Sequence, residues 1–258
     1  MRKAVKYLEG QVDEIARIIR MPPEQFTPEI FHKLRVDTKK IDALCDITKY
    51  YFKNFRKGIY LKTLKRIFRQ AGKVRELHLE MDCLEKTLKD VSLTQFRSGL
   101  TRELKLEQKE FFSVVEGSYI FLDQKPKKLK RHLKELRKKD FNDYLKKESE
   151  RLRRKPHEER VGNAELHTLR KGTKSIFYVQ RGADLKNNHL PLLTHAEDIG
   201  DMLGKWHDKR TIASRFESYQ TSRSIGPEEK GKLRHLQHLF EREGELDFAK
   251  ALRTVKRL

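Results

Sequence analysis

His32-Lys33-Leu34-Arg35-Val36-Asp37-Thr38-Lys39-Lys40-Ile41 returns 135 residues later as His167-Thr168-Leu169-Arg170-Lys171-Gly172-Thr173-Lys174-Ser175-Ile176, identical at six of ten positions. The offset is about half of the 258-residue chain, so the sequence reads as two copies of one structural unit. With 3.6 residues per helical turn, His32, Arg35 and Lys39 share a narrow arc, and Leu34, Ile41, Leu44 and Cys45 lie roughly opposite. One face packs, while the other presents an imidazole, a guanidinium and an ammonium to one ligand. A single such face is ordinarily a solvated surface. Recovery of the same His-x-x-Arg-x-x-x-Lys spacing as His167, Arg170 and Lys174 in a diverged second half argues for a shared ligand.

A second pair of segments accompanies the first. Ala71-Gly72-Lys73-Val74-Arg75-Glu76 and Leu203-Gly204-Lys205-Trp206-His207-Asp208 follow the histidine segments in each half. Together the segments resemble the Leu-Gly-x-x-Arg-Asp turn and the His-x-Leu-Arg-x-x-Thr-Lys helix of the conserved histidine α-helical domain (CHAD) family, over essentially the whole chain. The resemblance implies an all-α fold of two pseudo-symmetric four-helix bundles, with basic residues lining a central pore that binds inorganic polyphosphate. Residues 1–258 then form one domain of two halves, 1–117 and 118–258, divided at Glu116-Gly117-Ser118. The chain departs from the family pattern at Arg75-Glu76-Leu77-His78, and at Ser175 and Phe177 where basic residues are expected.

Composition supports a polyanion without choosing one. Lys and Arg number 59 against 38 Asp and Glu, a net charge of +21, and such a field attracts nucleic acid, anionic membrane or polyphosphate alike. Hydrophobic residues make up 36% of the chain at helical spacing, which fits a folded protein. Cys45 and Cys83 form no disulfide framework, no signal-peptide core is evident and no stretch reaches the length of a membrane span. The expected location is the cytoplasm, with polyphosphate granules as a destination the resemblance allows.

Met1–Arg20 reads as an amphipathic helix ended at Met21-Pro22-Pro23. Thr27 as N-cap, Pro28 at the first helical position and a Phe26–Phe31 staple specify the start of the first histidine helix, which is expected to run to about Phe55. A long helix from Ile59 to about Leu88 carries Lys62, Arg66, Arg69 and Lys73 as a basic stripe. On it Arg75 falls toward the packing side, where it is expected to pair with a carboxylate instead of touching ligand. Helices follow over Val91–Val115, Pro126–Lys155, from Asn163, and over Glu228–Val255. Pro156, Gly182, Asn187-Asn188 with Pro191, and Thr221–Pro227 mark the breaks. In the second half, Thr194, Asp198, Asp201 and Lys205 stand where the first has its stripe, so the first half is expected to supply more phosphate affinity.

The expected binding residues are His32, Arg35, Lys39, Lys40, Lys62, Arg66, Arg69, Lys73, Lys134, His167, Arg170, Lys174 and Lys205. Rows of Lys and Arg match a chain that carries about one charge per phosphate, and protonated imidazoles add donors at mildly acidic pH. No nucleophile with its base, phosphate-cradling glycine loop or Glu-x-Glu-x-Lys strand stands out, so a non-catalytic module without cofactor is expected. His235 and His238 share a face without a third ligand at metal spacing. Nucleic acid, or polyanions in general, is the alternative ligand. Phe31, Phe52, Phe68 and Phe177 sit where packing places them, and Trp206 is the lone tryptophan, so stacking platforms are scarce.

Overall fold

In a computed structural model the described residues are 2–87, 93–118, 126–154, 163–185, 191–221 and 225–257, and among them every regular element is helical. They form α1 (Arg2–Ile19), α2 (Pro28–Tyr51), α3 (Lys57–Thr87), α4 (Thr94–Glu116), α5 (Pro126–Glu135), α6 (Lys138–Arg154), α7 (Asn163–Ala183), the single turn α8 (Pro191–Thr194), α9 (Ala196–Gln220) and α10 (Pro227–Lys256). A 3-10 turn, Pro23–Gln25, joins α1 to α2. Pro156 and Asn187-Asn188 lie outside the described residues, as do most of the loop after Thr221 and the start expected at Val91.

The start of α2 follows its local chemistry. Thr27 Oγ1 accepts the Ile30 N–H at 3.4 Å, Pro28 occupies the first turn, and the Phe26 and Phe31 rings lie 5.4 Å apart. The helix ends at Tyr51, four residues before the expected Phe55. The chain turns at Phe52 so that both Phe52 and Phe55 reach the His132 ring, at 4.3 and 5.8 Å, and Phe55 is buried. That aromatic packing outweighs continuation of the helix.

One further boundary is corrected. The basic segment expected as one helix over 126–155 is two, because the backbone N–H of Arg137 donates to Asp140 Oδ2 at 2.6 Å. A carboxylate at the third helical position that reaches back to the N-cap amide starts a new helix. The break lets Leu129, Leu133, Leu136 and Phe141 all face inward.

Two hydrophobic clusters hold the helices. The larger takes Ile15 from α1, Phe31 and Leu44 from α2, Leu133 from α5, Phe141 from α6, Val179 from α7 and Leu203 from α9. The smaller joins the distal ends of α3 and α4 to those of α9 and α10 through Leu84, Phe96, Phe216 and Leu233. Both draw on residues from each half, so the cores do not divide at 117/118. The halves meet directly where α2 packs on α7 and α3 on α9. Those two contacts position the site.

Candidate functional site

The repeated segment splits into packing residues and presented ones. Leu34 and Leu169 are buried, and Thr38 and Thr173, also buried, donate their hydroxyls to the carbonyls of Leu34 and Leu169 at 2.9 and 2.8 Å. A threonine in the motif thus satisfies its own hydroxyl one turn back. Gly172 admits Leu152 of α6, whose Cδ2 would lie only 2.5 Å from a Cβ there.

The presented residues converge where α2, α3, α7 and α9 meet. Arg35 Nη1 donates to the Phe68 carbonyl of α3 at 2.8 Å, and its guanidinium lies 4.1 Å from the Phe68 ring centroid. Its Nη1 also lies against Gly72, where a Cβ would overlap it. Gly72 is therefore a seat for Arg35. Lys39 follows one turn on, with Nζ 5.8 Å from the same ring centre. Arg75 of α3 reaches Asp208 of α9 at 3.7 Å, an ion pair across the halves. The carboxylate expected for Arg75 is Asp208. The packing side to which helical phase turns Arg75 is the side that meets the other half.

Electrostatics show how closely these groups crowd. Burial holds Arg35 down to about 10, opposed by Glu76 and reinforced by Arg75 and Arg170. Burial lowers Lys39 to about 7, and Arg170, Arg35 and Arg75 add to the effect. Arg170 is lowered by burial and by Arg75 and raised by Asp208. Among the imidazoles, His32 and His167 are pushed down by burial and by cations of this cluster. His207, 5.3 Å from His167 ring to ring, falls to about 3 by burial and then by Arg170. Desolvation and like-charge neighbours act in the same direction on every one of these bases. The site is a concentration of positive charge drawn from both halves, offset only in part by Asp208 and Glu76.

The other expected residues are placed elsewhere. Lys40 pairs with the buried Asp37 at 2.8 Å. Lys174 pairs with Asp201 at 2.5 Å, its stem seated on Gly200. Lys62, Arg66, Arg69 and Lys73 are exposed, about 100–160° around α3 from the Phe68–Gly72–Arg75 line. Lys73 meets Glu107 of α4 at 3.2 Å. The structure does not bring that stripe to Arg35 and Lys39. Lys205 is exposed on α9, and Lys134 lines an open groove with Arg2, Lys6 and Lys130 between α1 and α5. His207, Asp208 and Phe68 were not among the expected site residues. Superposing the two glycine segments carries their signal, since Arg75 aligns with His207 and Glu76 with Asp208.

No group of three or more potential metal ligands occurs among the described residues, and no helix there is long and apolar enough to cross a membrane. No curated protein matches the sequence. The structure is similar to the crystal structure of the CHAD domain from the plant Ricinus communis, with a TM-score of 0.73 and 14% identity over 98% of this chain and 91% of that one. At that identity the likeness speaks for the fold. The family profile of the CHAD domain matches residues 6–217, which takes in both histidine segments and both glycine segments, and the chain belongs to the CHAD family.

Proposed function

We propose that the protein binds inorganic polyphosphate non-catalytically, in a basic central pore formed where its two pseudo-symmetric halves meet. The observation that carries this reading is the convergence of Arg35, Lys39 and Arg75 with Arg170. All four are basic, three are lowered in pKa and the fourth, Arg75, is ion-paired across the halves, and the carboxylates that act on them are Asp208 and Glu76. Such a cluster is unfavourable until an anion enters, which is what a receptor for a densely charged chain requires. Polyphosphate has charge at every repeat and no base to read, and the site offers guanidinium forks and an ammonium without a free aromatic platform.

The aromatic residues speak against single-stranded nucleic acid as the preferred ligand. Phe31 is buried, Phe52 stacks on His132, Phe68 is covered by Arg35, and Trp206 is buried. The first half is the stronger contributor on this reading. Lys174 is neutralised by Asp201, whereas its counterpart Lys39 sits among cations. Location in the cytoplasm or at polyphosphate granules belongs to the same proposal.

The test is a competition at physiological salt. Labelled long-chain polyphosphate is displaced from the protein by unlabelled single-stranded RNA, beside a variant with Arg35, Lys39, Arg75 and Arg170 changed to alanine. Poor competition by RNA and loss of binding in the variant are expected. Equal competition phosphate for phosphate, with normal binding by the variant, would make the protein a general polyanion binder. Affinity should fall steeply with salt in either case, because counterions are released.

A further inference from the structure

We propose that the groove between α1 and α5 is a second anion site, which takes a short linear chain of a few phosphoryl groups. The groove has a volume of about 490 Å³ and is lined by Arg2, Val5, Lys6 and Glu9 of α1 and by Lys130 and Lys134 of α5. That volume falls in the range of small-ligand sites, about 300–1,000 Å³. Neither helix contributes to the cluster where α2, α3, α7 and α9 meet, so the groove stands apart from that cluster and from the polyphosphate reading above. Its lining follows from helical spacing. Arg2, Val5, Lys6 and Glu9 stand at i, i+3, i+4 and i+7 on one face of α1, and Lys130 and Lys134 stand one turn apart on α5. Leu8 of α1 and Leu129 and Leu133 of α5 are fully buried, so apolar packing holds the two helices together.

The charges of the lining point to an anion. Lys130 engages Glu9 in an ion pair between the helices, and four cations against that one carboxylate leave a net charge of +3. Like charges one helical turn apart repel, and Arg2–Lys6 and Lys130–Lys134 are both such pairs. The first turn of α1 has no acidic residue, so its amide dipoles add positive charge at the Arg2 end. The donors and acceptors then restrict the kind of anion. Ammonium and guanidinium groups donate, and the one acceptor side chain, Glu9, is occupied. Among the described residues no aromatic ring lines the groove, so a base has nothing to stack on and sugar hydroxyls find no free side-chain acceptor. A phosphate chain, whose oxygens only accept, meets every donor.

The full chain is titrated with tripolyphosphate while its lysines are acetylated with N-acetoxysuccinimide, and the modified positions are followed by peptide mass spectrometry. Lys6 and Lys134 should be protected with one common midpoint, while Lys105 and Lys109, exposed on α4, stay reactive. Arg2→Gln, a change at an exposed position, should raise that midpoint by about tenfold or more, and ATP should protect no better than tripolyphosphate. Equal protection of Lys105 and Lys109, or an unchanged midpoint in Arg2→Gln, overturns the proposal in favour of a general field of charge. Stronger protection by ATP overturns the phosphate chain as the ligand. Arg170→Ala should leave the midpoint at Lys6 and Lys134 where it is, and a tenfold shift there would overturn a separate site. Long-chain polyphosphate titrated into Arg170→Ala reads the central site independently, so failure of either site is recognised without the other.

Discussion

Gly72 is the residue on which Arg35 rests, and its replacement isolates the seat from the charge. In Gly72→Ala the new methyl displaces the Arg35 guanidinium and breaks its bond to the Phe68 carbonyl. The lost bond costs about 1–2 kcal/mol, alanine returns about 0.5–1 kcal/mol of helix propensity, and a small net loss in melting curves with weaker polyanion binding in titration is expected. Gly204 aligns with Gly72 but has open space at its Cβ, so Gly204→Ala should stabilise its helix by about 0.5–1 kcal/mol and leave binding unchanged. Lys39 sets a pH dependence. Its amine is lowered to about 7 in the free protein, and a bound polyanion returns it toward its ordinary value, so binding takes up a proton above pH 7. Affinity should then decline by up to about tenfold per unit as pH rises above about 7, and Lys39→Arg, charged throughout, should remove that slope. The sequence made the His, Arg and Lys of each repeat visible, because helical spacing alone puts them on one face. It could not show that Lys39 lies over the Phe68 ring and Lys174 against Asp201, since that depends on where α3 and α9 lie.

At the scale of elements, the helices are fixed by caps that differ in range. The cap of α2 is local and was legible: Thr27, Pro28 and the Phe26–Phe31 pair are neighbours in sequence. That of α4 is not, because Glu229 from the start of α10 accepts the backbone N–H groups of Gln95 and Phe96, each at 3.0 Å. Gln95 in return accepts the Gly226 N–H at 2.7 Å. This exchange joins the first half to the second at the tips of the α3–α4 and α9–α10 pairs. Glu229→Ala should cost about 1–2 kcal/mol and lower the melting temperature by about 2–4 °C per kcal/mol lost. The break between α5 and α6 went unread for the opposite reason. Asp140 signals a new helix, but the apolar spacing of Leu129, Leu133 and Leu136 continues to look like one helix.

Over the whole molecule, a buried charge cluster further along α3 and α9 locks the halves together. Glu80 of α3 is fully buried in an ion pair with Arg215 of α9, which also meets Glu103 of α4 at 3.0 Å, and the Tyr219 hydroxyl donates to that same Glu103. Burial raises the Glu80 carboxyl to about 8 despite Arg215. An acid raised in the folded state holds its proton where the unfolded chain has lost it, so stability contributed there declines as pH rises from the ordinary glutamate range through 8. Glu80→Gln should therefore melt higher relative to the native protein at pH above 8 than at pH 5. If the difference between the two proteins is the same at both pH values, Glu80 is ionised throughout and the lock is a plain ion pair.

The sequence by itself determined that this protein is helical, repeated and basic, and which face of α2 and α7 carries the charge, because helical periodicity and local caps act between residues a few positions apart. Only the tertiary structure decided which charges matter together. Arg75 and Asp208 are more than a hundred residues apart and meet because α3 packs on α9, and Arg170 depresses the similarly distant Lys39 because α2 packs on α7. The stripe on α3 had the more regular spacing, yet it faces away from that junction. Desolvation and Coulomb repulsion depend on distance in space, and spacing along the chain does not contain it.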